Sequence, residues 1–298
     1  MFFSTQLKSA YHYGVIPLII KLLSRLSLKN LQRLGSSLGI LAYIGSSRYR
    51  ALLNTHLLQA AKLHNFEPHP WMTTKAAGMM LTDSLWIWHH PQEALSLTKV
   101  LNWDVVQEAI AEGRGLVMLA PHFGAFEMIP RVLAEHFPAT ILYRPARQSW
   151  LNEIIEKGRA HPRMTFAPAN MQGVRQLARA LQRGEAVGIL PDQVPSVGDG
   201  VWAKFFGEYA YTVVLPAKIA SRNNVPTVIF TARRLGLGEG WEMTAERMQN
   251  PFSADPIIAA SQLNQLLETA ILKCPDQYLW GYNRYKHPAG ADLPPTKE

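Results

Sequence analysis

Cysteine is almost absent from this chain. With Cys274 alone among 298 residues, no disulfide can form within the chain and no zinc site built from several cysteines is possible. Acidic residues are also few, since 22 Asp and Glu face 30 Lys and Arg and leave a formal net charge of +8. This charge favours anionic partners, among which lipid headgroups and nucleic acid are both candidates.

Three common catalytic signatures are missing from the sequence: the G-x-S-x-G nucleophile elbow, the G-x4-G-K-[ST] phosphate loop and the H-E-x-x-H zinc pair. His89 and His90 are adjacent and would point in different directions on a helix, so we predict no metal site. The segment Gly236–Gly240 resembles a dinucleotide loop weakly, but no helical pattern follows it. We interpret it as a hairpin turn.

Long apolar runs are missing as well. The run Tyr13–Ile20 is interrupted by Lys21 and falls short of the about 20 residues that cross a bilayer. We expect no cleavable signal. Leucines then interleave with basic residues in a pattern typical of helices lying in a headgroup layer: Leu22, Leu23, Leu26 and Leu28 with Lys21, Arg25, Lys29 and Arg33. We predict an N-terminal region associated with an anionic membrane; the alternative is ordinary core-packing helices with solvated basic faces.

The sequence pattern changes near residue 100. Residues 1–100 have a helical pattern, whereas residues 101–298 alternate strand-like and helical runs, with a disordered tail near 288–298. Predicted strands are Leu116–Ala120, Thr140–Tyr143, Ala186–Leu190, Thr227–Ala232 and Trp241–Ala245; predicted helices are Trp71–His90, Ala125–His136, Ser149–Gly158, Gly173–Arg183, Val213–Ser221 and Pro256–Lys273. The pattern predicts an α/β fold with a mixed, largely parallel sheet flanked by helices.

The candidate catalytic pair is His122 and Glu127. His122 follows the apolar run Leu116–Ala120 and a proline, and Glu127 lies five positions further on. On one continuous helix the two side chains would diverge by about 140°, so convergence requires His122 in the loop and Glu127 in the first turns of the next helix. A neutral imidazole held by a carboxylate can take a proton from a hydroxyl. The alternative is a surface histidine followed by a glutamate that suits a helix N-terminus.

Further polar residues follow other predicted strands. Asp192 comes after Ala186–Leu190, Arg144 follows Thr140–Tyr143, and Arg159 closes a segment rich in cations. Ligand sites in open α/β sheets lie at the carboxyl ends of strands, where such cations would bind an anion or stabilise charge on an oxygen. Each of these residues also has a simpler explanation as a turn residue or a solvated charge. Without a protein nucleophile motif, the histidine would activate a hydroxyl of the substrate.

These motifs together resemble the bacterial late acyltransferases of lipid A biosynthesis, a branch of the lysophospholipid acyltransferase superfamily. The resemblance covers about residues 10–288, and His122-Phe-Gly-Ala-Phe-Glu127 is similar to the family's H-x4-D/E motif. The other matching segments occur in the family's order: Tyr143-Arg-Pro145, Lys157-Gly-Arg159, Arg183-Gly-Glu185, Pro191-Asp-Gln193, Phe205-Phe-Gly207, Pro275-Asp-Gln-Tyr-Leu-Trp280 and Arg284-Tyr-Lys286. The segment after Trp280 and the one after Gly207 depart from the common pattern.

The resemblance implies transfer of a fatty acyl chain from an acyl carrier protein thioester to a hydroxyl of a lipid A precursor, without a cofactor or a covalent enzyme intermediate. His122 matches the family's base and Glu127 the carboxylate that orients it, while Arg159 and Asp192 match substrate-binding positions. Arg144 is expected to bind substrate. An acyl channel is expected to be lined by apolar side chains, whose alternative role is core packing: Phe123 and Phe126, with Met79, Met80, Leu85, Trp86 and Trp88.

The partners implied are acyl carrier protein, the glycolipid precursor and an anionic membrane, at the cytoplasmic face of a bacterial inner membrane. Two rivals stay open: an acyltransferase of the same fold acting on another membrane lipid, and a peripheral membrane-binding protein without catalysis. Nucleic acid is not expected to bind, because the basic residues are scattered among apolar helices.

Overall fold

A seven-stranded sheet forms the centre of the protein in the computed structural model, which describes residues 18–146, 148–222 and 224–296. The strands are β1 Thr98–Leu101, β2 Leu116–Leu119, β3 Ala139–Tyr143, β4 Met164–Pro168, β5 Ala186–Ile189, β6 Gly200–Phe205, β7 Glu208–Val213, β8 Thr227–Arg234 and β9 Trp241–Arg247. The large sheet has the order β1-β9-β8-β2-β5-β3-β4, and β6 pairs with β7 separately. Only β8 and β9 pair antiparallel within the large sheet as described. The predicted mixed, largely parallel sheet is confirmed.

Helices cover the sheet and form most of the N-terminal third of the described chain. They are α1 Leu28–Gly45, α2 Ser47–His64, α3 Pro70–His89, α4 Pro91–Ser96, α5 Trp103–Ala111, α6 Met128–His136, α7 Ser149–Arg159, α8 Met171–Gln182, α9 Leu215–Arg222 and α10 Pro256–Leu272, with a 3-10 turn at Pro275–Gln277. The predicted start of α10 is confirmed, because the Asp255 carboxylate accepts from the N–H groups of Ile257 and Ile258. The predicted hairpin turn at Gly236–Gly240 is also confirmed, since it joins β8 to β9.

The central strands are apolar because they are buried on both faces. All four residues of β2 and of β5 are buried, as expected for parallel strands covered by helices. Side chains alternate between two core clusters: Val117 and Leu119 belong to one, Leu116 and Met118 to the other. Packing therefore fixes both strands at the centre of the molecule. It also fixes where the residues directly after each strand lie.

Helices α1 and α3 pack with their backbones in close approach. Gly35 and Gly39 of α1 face Gly78 of α3, and a Cβ built at Gly78 would lie 2.7 Å from the backbone nitrogen of Gly39 and closer still to the carbonyl oxygen of Gly35. Thr74 donates its hydroxyl hydrogen bond to the Gly39 carbonyl at 2.9 Å. Glycine is therefore required at this crossing by space rather than by backbone conformation.

We expect Gly78→Ala to destabilise the protein, because the added methyl group meets backbone atoms that cannot rotate away. Overpacking of this kind costs about 1–3 kcal/mol, measurable as the change in unfolding free energy in urea. Gly45→Ala is the matched control, since a Cβ there meets nothing within 4 Å. An unchanged midpoint for Gly78→Ala would show that the two helices separate easily.

A buried polar network joins the N-terminal helices to the sheet. Asp83 of α3 is fully buried and lies 2.6 Å from the Arg234 guanidinium of β8. Its other oxygen accepts from the Gln32 side-chain amide at 2.8 Å, and Gln32 in turn accepts from the N–H of Gly238. These contacts join α1 and α3 to the β8–β9 hairpin through one buried carboxylate.

Some apolar side chains predicted for the membrane-associating region are packed and others are exposed. Leu28 is buried, and Leu23 and Leu26 pack against the core. By contrast, Leu38, Leu41 and Ile44 of α1 are 49%, 64% and 60% exposed. Of the predicted run Tyr13–Ile20, residues 13–17 lie outside the described residues. Among the residues that are described, no helix is long and apolar enough to span a bilayer.

Candidate active site

His122 and Asp192 meet at the carboxyl edge of the sheet. Each stands three residues after its strand, His122 after β2 and Asp192 after β5, with a proline immediately before it. The two strands are parallel and paired in register, Leu119 opposite Ile189, so continuing that register brings His122 opposite Asp192. The His122 Nδ1 atom lies 2.8 Å from Asp192 Oδ1.

Asp192 holds both the backbone and the ring of His122. Its second oxygen, Oδ2, accepts the backbone N–H of His122 at 2.9 Å. The carboxylate is 2% exposed, while the imidazole side chain keeps 19% of its surface accessible. Burial by itself raises the pKa of Asp192, but the two hydrogen bonds from His122 and the attraction to its imidazolium form outweigh burial and hold that pKa below its ordinary value. Asp192 is therefore an anion at neutral pH.

The paired carboxylate assigns the tautomer of His122. Because ionised Asp192 can only accept, Nδ1 carries the proton and Nε2 keeps its lone pair. The Gln193 side-chain amide nitrogen lies 3.3 Å from Nε2 and can donate to it. His122 thus presents a basic nitrogen next to a hydrogen-bonding amide.

Glu127 has a different partner from the one expected. Its carboxylate accepts from Arg159 at both oxygens, including Nε to Oε2 at 2.9 Å, and from the Trp88 indole N–H at 3.1 Å. His122 lies in the loop as predicted, whereas Glu127, predicted within the first turns of the next helix, is the N-cap residue just before α6. The expectation that Glu127 orients the imidazole differs from the structure, where Asp192 contacts Nδ1.

Arg159 is fixed between the Glu127 carboxylate and three aromatic rings. The guanidinium carbon lies 5.9 Å from the Trp88 ring centre, 5.8 Å from Tyr143 and 5.7 Å from Phe166. Such stacking suits guanidinium, which is planar and weakly hydrated. The end of α7 that carries it is also held, because buried Arg131 donates to the Gly158 carbonyl at 2.8 Å. The cation keeps a defined position, with 19% of the side-chain surface accessible.

A cavity of about 960 Å³ opens beside these groups. His122, Glu127, Arg159 and Arg144 all line it. Phe126 lines it as predicted, and its ring centre lies 5.0 Å from that of His122. Most of the remaining wall is apolar and comes from the strand ends and from α7, α8 and α9; it includes Met118, Ile141, Ile155, Phe166, Val174, Ile189 and Leu215.

Several predicted wall residues lie elsewhere. Phe123 is 1% exposed, packs in the core and does not line the cavity; a short bridge with Tyr278 fixes its backbone instead. Met80 and Trp86 are buried in the core, which was their alternative role, and Trp88 acts on Arg159 and Glu127. Half of α3 is buried and its apolar residues there serve packing, whereas Trp71, Met72 and Leu81 of the same helix are exposed.

Tyr278 and Arg284 support the site from behind. The Tyr278 hydroxyl hydrogen-bonds Asp192, and burial together with the Asp192 charge raises the pKa of Tyr278 well above its ordinary value. Arg284 is 2% exposed and donates to the Tyr211 carbonyl and the Thr212 hydroxyl, both at 2.8 Å. Both residues lie in segments that match the family, Pro275–Trp280 and Arg284–Lys286, but the resemblance predicts no role for either at the site.

Comparisons with known proteins show the family of this chain. Residues 12–287 match the family described as bacterial lipid A biosynthesis acyltransferase. A lipid A biosynthesis palmitoleoyltransferase of Escherichia coli K12 is 25% identical over 263 residues, which is 85% of this chain and 84% of the relative. A lauroyltransferase of the same bacterium is 24% identical over 265 residues, with the same coverage, and a Haemophilus influenzae acyltransferase is 26% identical over 190 residues, 61% of this chain and 57% of the relative. The chain belongs to the family of bacterial lipid A biosynthesis acyltransferases.

Proposed function

We propose that this acyltransferase moves a fatty acyl chain from an acyl carrier protein thioester to a hydroxyl of a lipid A precursor. The observation that carries the proposal is the His122–Asp192 pair, whose imidazole Nε2 lies beside a large, mostly apolar cavity. The E. coli relatives are named for transferring palmitoleoyl and lauroyl groups in lipid A biosynthesis. A cavity of this size and lining suits a long acyl chain.

The proposed reaction is direct transfer. Nε2 of His122 takes the proton of the acceptor hydroxyl as its oxygen attacks the thioester carbonyl, and Asp192 stabilises the imidazolium that forms. The tetrahedral intermediate expels the thiolate of the carrier, which takes a proton from the imidazolium. The products are an ester and the free thiol, and His122 returns to its neutral form. No covalent enzyme intermediate and no cofactor enter this scheme.

Arg159 and Arg144 are proposed to bind anionic parts of the substrates. Both line the cavity, and Arg159 is held in place by Glu127. A guanidinium fixed in this way stabilises charge without reorganising during the reaction. Glu127 is therefore proposed as the positioning residue for Arg159, which differs from the orienting role that the sequence motif implies.

The exposed leucine face of α1 is proposed to lie on the cytoplasmic face of the inner membrane. Leu38, Leu41 and Ile44 recur at three-residue spacing and so share one side of the helix. Arg33 and Arg48 are exposed nearby in the sequence. An apolar stripe with adjoining cations is typical of helices that bind anionic bilayers from one side.

The exposed face of α8 is proposed to receive the acidic carrier protein. Met171 and Val174, in the first turn of the helix, line the cavity, and Arg175 and Arg179 are exposed one and two turns along. Neither arginine forms an ion pair with any acidic residue in the described part of the chain. Unpaired cations beside a substrate entrance favour docking of an anionic partner.

We expect the double change Arg175→Glu and Arg179→Glu to raise the KM for carrier-bound substrate by about tenfold, because like charges then face each other across the contact. Activity with a short pantetheine thioester, which lacks the protein surface, should change little. The double change Lys62→Glu and Lys99→Glu, at exposed positions on α2 and β1, is the charge-matched control. Equal loss with both thioesters would contradict docking on α8.

The direct test of the function is an assay of purified protein with several carrier-bound acyl donors and defined lipid A precursors. The expected product is a lipid A precursor heavier by one acyl chain, found by mass spectrometry. A lysophospholipid acceptor belongs in the same assay, since acylation of that acceptor alone would favour the same-fold rival. Turnover of neither acceptor would leave the proposed reaction unsupported.

A further inference from the structure

Three neighbouring residues share one face of the sheet, and two of them line the cavity. Gly188 of β5 is paired in register with Met118 of β2 on one side and with Ile141 of β3 on the other. Residues paired in register on parallel strands point to the same face of the sheet. Met118 and Ile141 both line the cavity, and both are almost fully buried.

The space that a side chain at Gly188 would occupy is filled by the ends of the Met118 and Ile141 side chains. A Cβ built at Gly188 would lie 2.6 Å from Ile141 Cδ1 and closer still to Met118 Cε. Both contacts are to the ends of side chains rather than to backbone. The space above Gly188 therefore lets Met118 and Ile141 lie low on the sheet, and a methyl group there would lift them.

The lifted side chains have one direction in which to move. Met118 and Ile141 belong to a packed core cluster with Met128, Ile129 and Phe230, and such cores tolerate little added volume. The free volume next to both residues is the cavity itself. Any group added at Gly188 therefore reduces the depth of the cavity on this face of the sheet.

We infer that Gly188 sets the depth of the site for the donor acyl chain, and with it the chain length that the enzyme transfers. The inference rests on the proposed function, since it requires an acyl chain to occupy this part of the cavity. The end of the chain contacts Met118 and Ile141, whose height above the sheet Gly188 determines. An apolar site distinguishes chains differing by one methylene by about 10–200-fold, so a methyl-sized change in depth has a measurable result.

The test is a competition among decanoyl, dodecanoyl, tetradecanoyl and hexadecanoyl thioesters of acyl carrier protein, with product masses giving relative kcat/KM. Gly188→Ala is expected to move the preference toward the shorter donors by at least about tenfold per two carbons. Ile141→Val removes the Cδ1 atom itself and is expected to move the preference toward longer donors. Gly45→Ala, where a Cβ meets open space, should leave the preference unchanged.

The outcomes separate the inference from the function on which it rests. Wild-type protein that transfers none of the four chains to a lipid A precursor would contradict the proposed function. Active wild-type protein whose preference is the same in Gly188→Ala and Ile141→Val would overturn the inference alone. A change that appears in acceptor choice rather than donor choice would also overturn it. If Gly188→Ala fails to fold, as judged by its thermal unfolding, the milder Ile141→Val decides the result.

Discussion

His122→Ala is expected to lower the rate of acyl transfer by about 10²–10⁴-fold, the usual contribution of a general base. The imidazole Nε2 is the basic atom that faces the cavity next to Gln193, and alanine leaves no group to take the hydroxyl proton. The loss should lie in kcat, measured with saturating carrier thioester and lipid A precursor. Binding of the substrates should persist, because the apolar wall and the cavity arginines are unchanged.

The matched control is His89→Ala, which removes an exposed imidazole at the end of α3 whose Nδ1 contacts the Leu85 carbonyl. It should retain full activity. Binding to anionic vesicles should be equal in both variants, since neither residue lies on the exposed face of α1. Full activity of His122→Ala would refute the assigned base. Loss of vesicle binding together with activity would indicate that the substitution disturbs the fold.

The central fold was predictable because its strands are apolar on both faces. The runs containing β2, β5 and β8 are predicted to within one or two residues, since burial on both sides imposes a continuous apolar sequence. The edge strands β1 and β4 are not among the predicted strands, and neither are β6 and β7. Thr98–Leu101 and Met164–Pro168 are mostly half-buried and mixed in character, so their sequences lack both an apolar run and a clear alternation.

The sequence contains a pattern that pairs His122 with Asp192. The segments Leu116–His122 and Ala186–Asp192 share one sequence pattern. Each has an apolar run, then a proline and then a polar residue. Once the two runs are taken as neighbouring parallel strands, equal spacing from strand to polar residue brings the two polar groups together. The short distance from His122 to Glu127 along the chain favours a different pair, whereas the His122 Nδ1 atom contacts Asp192 in the structure.

The partners of Glu127 could not be derived from local sequence. Trp88 belongs to α3 and Arg159 to α7, and each reaches Glu127 through tertiary packing. Nothing in the spacing of these residues fixes how the two helices approach α6. The same holds for Tyr278, which contacts Asp192 from a segment beyond the last helix. Local patterns give elements and their ends, whereas side-chain partners depend on how those elements pack.

Asp192→Asn is expected to reduce kcat by about 10²–10⁴-fold, although the substitution is nearly isosteric. Asparagine can donate its amide hydrogen to Nδ1 and so favours the tautomer with the proton on Nε2, where no proton can be accepted; the equivalent change in a serine protease triad costs about 10⁴. The KM values should change little.

The pKa of Asp192 is held below its ordinary value. The contribution of this carboxylate to the free energy of unfolding is therefore complete above about pH 4 and is lost as the pH falls toward its folded-state pKa.

Comparison with Glu127→Gln decides between the two carboxylates. If Asp192 orients His122 and Glu127 positions Arg159, then Glu127→Gln and Arg159→Lys should be strongly non-additive with each other. Glu127→Gln should raise the KM for an anionic substrate, because its main consequence is a displaced guanidinium. Asp192→Asn should instead lower the rate at every substrate concentration, because it lowers kcat and leaves KM unchanged. An Asp192→Asn enzyme with normal kcat, beside a Glu127→Gln enzyme that loses it, would return the orienting role to Glu127 and leave Asp192 as a backbone support for the His122 loop.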